Sequence, residues 1–526
     1  MSMRHIYVIS DLHLGGAPAT ADRPSFQMCP PEARRRLARF IEAIRTSSLA
    51  PERAESPREL IINGDLVDFL AEQPFASFTA EPQAAVAKLR QIVKSSDDGA
   101  EPGEQIFPAL RRFVRDGHAL TLLIGNHDIE LTLPAVRQEL MDSLTEGRPA
   151  RIEFLLDGEA CRRGLALIEH GNRYDGWNAV PHGTLRAVRA RASRGEPPLA
   201  LVPPAGSSMV TDVINPLKGL YRFIDLLKPE NEALIPLLSA LHPGALREIR
   251  RIFNAWRNTI PIGVGAVPDR ETYVGDFGGG AGVVPDRFTQ VGAHGVVAVD
   301  DKARAVRSAP VWDEVEGDPI HAETLRRTEA LLAEAEAARV PAGPEDDVVP
   351  DELSQVGDGG MAWVRSGLSL VLSGWSKDDN RYRHLRHALV QHHRTVGRTF
   401  SLHIEHDEYL KAAERMENQD VRVVVFGHTH LPKSIRLPRG GHYLNTGTWC
   451  RTIRLDERLY DPAADEAESL ALLRQFVEDL RTNTVDPWTN LRTPFAHLEV
   501  TPKKTTGTLC EFHDDGTVST PMKAFA

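Results

Sequence analysis

Ala119-Leu120-Thr121-Leu122-Leu123-Ile124-Gly125-Asn126-His127-Asp128 is the stretch whose reading decides the fold: an apolar run of strand length, a glycine, then an amide, an imidazole and a carboxylate in succession. A run this short, bounded by a turn residue, predicts a buried strand over 119–124. The three polar residues then leave the C-terminal end of that strand. There Asn126 offers an amide oxygen to a cation, and His127 offers a proton as a general acid. Asp128 is expected to orient the His127 ring and favour its charged form.

Working outward, the same punctuation recurs. Ile6 to Ser10 runs into Asp11-Leu12-His13, and Glu59 to Asn63 into Gly64-Asp65. Leu165 to Glu169 runs into His170, and Val421 to Phe426 into Gly427-His428-Thr429-His430. Between the first two, Leu37, Phe40, Ile41 and Ile44 recur at helical spacing, which predicts a helix over 32–46 and a strand, helix, strand opening. In layered α/β folds, loops and ligands gather at the C-terminal edge of the strands, so these separated motifs are expected to converge on one pocket.

Singly, most of these motifs carry little. Gly-Asp is a common turn, Asp11 alone reads as a turn cap, and one histidine after a strand is more often structural. Their chain order carries the argument: Asp11, His13, Asp65, Asn126, His170, His428 and His430 each follow a strand.

This order, D-x-H, G-D, G-N-H-D, H and G-H-x-H, resembles the calcineurin-like metallophosphoesterase superfamily. The resemblance covers 1–176 and 402–450 and implies a four-layer α/β/β/α sandwich. It also implies a centre of two cations, with Asp11, His13, Asp65 and His430 on one, Asp65, Asn126, His170 and His428 on the other, and Asp65 as the bridge. The donors are nitrogen and oxygen without thiolate, which suits Mn2+, Fe2+ or Fe3+, or Zn2+. Ser10-Asp11-Leu12-His13-Leu14-Gly15, the 64–68 stretch, 170–175 and Leu444-Asn445-Thr446-Gly447 look most like the bacterial UDP-2,3-diacylglucosamine hydrolase branch. The implied reaction is hydrolysis of a phosphate ester or pyrophosphate by metal-activated hydroxide, with His127 protonating the leaving oxygen. Arg173 is the candidate for gripping the phosphate.

The domain reading is a core in two parts, 1–176 and 402–526, interrupted by a mainly helical insertion over 177–401. Leu246, Ile249, Ile252, Phe253 and Trp256 form an apolar helix stripe there, and Gly275 to Gly282 reads as a glycine-rich turn. The 526 residues carry a net charge of -11, which argues against a broad cationic face for nucleic acid. A phosphorylated small molecule or lipid-linked phosphate is the favoured substrate class; a nuclease, a phosphoprotein phosphatase and a non-catalytic metal-binding scaffold are the alternatives. The opening residues run directly into a strand rather than a signal peptide, and no apolar run reaches the roughly 18 to 20 residues of a membrane span. Cys29, Cys161, Cys450 and Cys510 are widely spaced and form no C-x-x-C pair, so they are expected as buried reduced thiols of a cytoplasmic protein.

Overall fold

A computed structural model describes residues 3–16, 27–46, 49, 57–72, 77–156, 160–175, 178–180, 182–197, 199, 201, 204, 207, 210, 222–227, 237, 378–391, 399–482 and 484–523. Most of the 177–401 insertion, including the stripe at Leu246 to Trp256 and the glycine-rich turn at Gly275 to Gly282, lies outside the described residues.

The N-terminal part is β1 (Arg4–Ile9), α1 (Pro31–Arg45), β2 (Glu59–Asn63), α2 (Pro82–Asp97), α3 (Ile106–Arg115), β3 (Ala119–Leu123), α4 (Pro134–Thr145) and β4 (Arg151–Leu155). It continues through β5 (Cys161–Arg163), β6 (Ala166–Ile168) and α5 (His182–Ser193). Beyond the insertion's described helix α6 (Asp378–Gln391) come α7 (Asp407–Met416), β7 (Val423–Phe426), β8 (Pro432–Arg436), β9 (His442–Thr446) and β10 (Arg451–Ile453). Last are α8 (Glu466–Arg481), β11 (Thr489–Leu491), β12 (Pro494–Val500), β13 (Thr505–Phe512) and β14 (Val518–Ser519). The architecture is mixed α/β, with eight α-helices among the described residues. The five strands expected to precede motifs are present, with ends moved by at most two residues.

A seven-stranded sheet runs β14-β13-β12-β1-β2-β3-β4, in which β1 to β4 are parallel and β12 returns antiparallel to β1. A five-stranded sheet runs β5-β6-β7-β9-β8, with β6, β7 and β9 parallel. Strand periodicity assigns the faces. In β1, Tyr7 and Ile9 join the cluster built by α1 to α4, while Ile6 and Val8 pack with Ile61 and Leu123 against Ile168, Val425 and Leu444 of the second sheet. The outer face of that second sheet, Leu167, Val424, Phe426 and Tyr443, is covered by Tyr409, Ala412 and Met416 of α7.

Local sequence explains the helix starts: Pro31, Pro82 and Pro134 open α1, α2 and α4, where the missing N–H costs nothing and φ is preset. Phe40 of α1 meets the rings of Tyr7, Trp449, Phe495 and Phe512 at centroid distances of 6.2, 5.4, 4.8 and 5.5 Å. Such pairs contribute about 0.5–1.5 kcal/mol each beyond their area, so α1 is fastened to the C-terminal strands. Within the insertion, α5 packs on α4, whereas α6 and 222–227 pack on 451–491: the Arg474 guanidinium of α8 lies 5.5 Å from the Tyr382 ring centre, Arg386 donates to the Ala464 carbonyl at 3.0 Å, and Leu227 bridges Ile453.

Candidate metal centre

Both sheets deliver the C-terminal ends of parallel strands to one edge. From the first sheet come Asp11 and His13 after β1, Asp65 after β2 and Asn126 after β3; from the second come His170 after β6 and His428 and His430 after β7. Backbone hydrogen bonds lock the first three loops together. His13 N donates to Asp65 O at 3.0 Å, Asp68 N to Leu14 O at 2.8 Å, and Phe69 N to His127 O at 3.1 Å.

The donor atoms meet. Asp11, His13 and His430 form one group, and Asp11, Asp65 and His170 another, each with its ligand atoms within 4.8 Å of one another. His13 Nε2 lies 2.9 Å from His430 Nε2, His430 Nε2 3.4 Å from Asp11 Oδ1, and His170 Nε2 3.2 Å from Asp65 Oδ2. Asn126 Oδ1 is buried and makes no hydrogen bond among the described residues, while the buried His170 Nε2 has the Asp65 carboxylate as its neighbour. Burying an amide oxygen without a partner costs free energy, and a cation is a partner its chemistry fits.

The backbone is bent to make this possible. Asp11, His13, Asp65, His428 and His430 adopt positive φ of 52, 43, 51, 69 and 60°. Non-glycine residues rarely enter this region, and each such residue costs on the order of 1–3 kcal/mol, held by the structure around it. Two glycines allow close approach: a Cβ on Gly125 would lie 2.1 Å from Asp65 Oδ1, and one on Gly427 2.6 Å from Asp11 Oδ2. The stretch Leu444 to Gly447 is a clamp. Asn445 Nδ2 donates to Gly427 O at 2.8 Å, the Ser10 and Thr446 hydroxyls are 2.7 Å apart, and Thr448 Oγ1 donates to Asp11 O at 2.6 Å.

One expected partnership is corrected. Asp128 does not meet the His127 ring; its carboxylate accepts from Gly125 N at 2.7 Å and Leu66 N at 2.9 Å, stapling the β3 loop to the β2 loop. A side chain that follows His127 directly is carried by the backbone to the opposite side of the turn. The ring's carboxylate is Asp68, with Oδ1 3.1 Å from His127 Nδ1. Its signal was present three residues after Asp65, where the chain folds back beneath the GNHD loop. Arg173 lies 3.3 Å from the buried Glu169 carboxylate. Asp175, 3.2 Å from His428 Nε2, and Asn178, 3.3 Å from Asn126 Nδ2, join the site without having been singled out in the sequence.

Charge follows geometry. Burial raises Asp65, but His170, His127 and His13 outweigh it and hold its carboxyl well below the usual range. Burial and the neighbouring His127 push His13 down to about 3, so it presents a neutral imidazole. Burial pulls His170 down, but Asp65 and Asp11 prevail and raise it to about 10. Taken as protein groups alone, His170 therefore keeps a proton at neutral pH that must leave before Nε2 binds a cation. If the centre takes up a divalent cation such as Mn2+, uptake is expected to release about one proton on this account, with affinity rising with pH. Calorimetry in buffers of different ionisation enthalpy measures it, and a buffer-independent heat refutes it. In the metal-free chain the sign is opposite: a histidine raised from 6.5 to about 10 contributes stability below about 6.5 and loses it as pH rises through about 10.

All four cysteines are buried and free. No helix among the described residues is long and apolar enough to cross a membrane. Comparison of the chain with protein-family models, with curated proteins and with solved structures gives no match.

Proposed function

We propose that this chain is a two-metal phosphohydrolase of the calcineurin-like metallophosphoesterase type, with the helix, sheet, sheet, helix order of its core as the four-layer sandwich of that superfamily. The carrying observation is that Asp11, His13, Asp65, His170 and His430 bring ligand atoms within 4.8 Å of one another in two groups from the ends of two sheets, with Asn126 and His428 on the same strand-end loops and a His127–Asp68 pair at 3.1 Å beside them. Asp11, His13, Asp65 and His430 hold one cation, and Asp65, Asn126, His170 and His428 the other; Mn2+ is the first choice, Fe or Zn2+ the alternatives.

When bound, such a pair of cations neutralises phosphoryl oxygens and acidifies the attacking water. The protein supplies the rest. His127 holds Nδ1 toward Asp68, so Nε2 is the atom that delivers a proton to the departing oxygen. The interlocked loops keep the donors at fixed separations, so little reorganisation accompanies the reaction. Arg173 fits a phosphate-gripping role only on leaving Glu169.

The substrate in this reading is a phosphorylated small molecule or lipid-linked phosphate, cleaved in a reducing cytoplasm that suits four free thiols. The net charge of -11 weighs against a nuclease, and the complete donor set against a non-catalytic scaffold. Hydrolysis of p-nitrophenyl phosphate and bis-p-nitrophenyl phosphate, with inorganic pyrophosphate as the third substrate, is the test. Mn2+-dependent turnover abolished by chelation is expected. A protein that takes up its manganese yet hydrolyses none of the three sinks the proposal, and one that takes up none returns the scaffold reading.

A further inference from the structure

Two of the donors assigned to the same cation are chemically ambiguous. An amide presents an oxygen or an NH2 group, and only the oxygen binds a cation; a neutral imidazole presents one nitrogen with a lone pair and one with a hydrogen. A centre that relies on Asn126 and His428 needs something that selects the correct end of each.

The structure assigns that selection to two residues, Asp175 and Asn178, on the reading of the site as a two-cation centre. Asn178 Oδ1 accepts from Asn126 Nδ2 at 3.3 Å, which turns the NH2 group away and leaves Asn126 Oδ1 buried and without a hydrogen bond among the described residues. Asn178 Nδ2 donates to Asp175 Oδ2 at 2.7 Å, and the same oxygen lies 3.2 Å from His428 Nε2. A carboxylate there calls for a hydrogen on Nε2, so the lone pair resides on His428 Nδ1. Partners of this kind fix the tautomer and ring orientation of metal-binding histidines.

Asp175 and Asn178 are themselves held in place. Asn178 N donates to Asp175 O at 3.0 Å, and Asn172 Nδ2 to Asn178 O at 2.9 Å. The Tyr174 ring stacks on Phe426 at 5.4 Å, just ahead of Gly427 and His428. His170, another donor for that cation, opens the same segment, with Nδ1 2.7 Å from Asn63 O so that Nε2 faces Asp65. Asp175 and Asn178 are thus positioning residues: they act through Asn126 and His428 and set one cation site while leaving the other alone.

Mn2+ titrations of the parental chain and of Asn178→Ala, Asp175→Ala and Asp175→Asn, followed by calorimetry and electron paramagnetic resonance, test this. The parental chain is expected to bind a spin-coupled pair. Asn178→Ala and Asp175→Ala are expected to keep one ion of parental affinity, with the hyperfine pattern of isolated Mn2+, and to bind the second roughly 10- to 100-fold more weakly. Asp175→Asn, which keeps an acceptor oxygen, is expected to recover most of the second affinity. Two ions bound with parental affinities and coupling in both alanine variants overturn the inference, as does equal weakening of both ions or loss of the fold. A parental chain that binds no pair overturns the two-cation reading instead.

Discussion

His127→Ala is expected to lower turnover by about 10²- to 10⁴-fold, the usual contribution of a positioned proton donor, while the manganese bound per chain stays at the parental value. The two readouts separate because the proposed donor set leaves His127 out, although its ring nitrogen lies within 4.8 Å of ligand atoms of His13 and Asp68. Its ring stands edge-on to His13, with centroids 4.6 Å apart, and its Nδ1 is directed at Asp68. Turnover at metal saturation and metal content of the same sample measure both. A metal-loaded variant that works at the parental rate removes His127 from the mechanism. Asp68→Asn tests the corrected partnership, since it keeps the ring's neighbour but removes the charge: turnover is expected to fall by less than in the alanine variant. Asp128→Asn is expected to act differently, through the loosened staple between Gly125 and Leu66, and to lower metal affinity together with thermal stability.

The second large effect concerns stability. Lys88 of α2 and Glu130, just past the GNHD loop, are both fully buried, with Lys88 Nζ 3.0 Å from Glu130 Oε1 and 3.1 Å from Phe69 O. Burial raises the Glu130 carboxyl and Lys88 opposes this, so removal of the lysine leaves an acid with no counter-charge in an apolar surrounding. Lys88→Ala is expected to cost about 3–5 kcal/mol of unfolding free energy, measured by urea denaturation. The double variant Lys88→Met, Glu130→Leu is expected to recover most of that loss, because two well-packed apolar chains avoid burying charge at all. An unchanged denaturation midpoint for Lys88→Ala would remove the pair from the stability of the core.

What the sequence made legible was decided by backbone periodicity. Strand ends at Asp11, Asp65, Gly125, His170 and Gly427 follow from short apolar runs meeting polar residues, and the edge where they converge follows from parallel β1-β2-β3 and β6-β7-β9. What escaped depended on side-chain direction inside turns. Asp128 adjoins His127 in the chain, but successive residues of a tight turn diverge, whereas Asp68 is brought beneath the ring by the hydrogen bond from Phe69 N to His127 O. Arg173 has an acid, Glu169, one helical turn behind it, and that local neighbour claims it. The contact of α6 with α8 was not legible either, because an interface between two helices distant in the chain has no periodic signature in either stretch.

The antiparallel pairing of Arg4 with Val500 places the earliest strand beside one of the last. Contacts of such sequence separation close slowly, because a long loop must lose its freedom before any pairing rewards it. In chain order Asp11 and Asp65 are made several hundred residues before His428 and His430, the last members of the proposed donor set. On the proposed two-cation reading, ion capture waits for His428 and His430, and a chain released before them lacks the proposed centre.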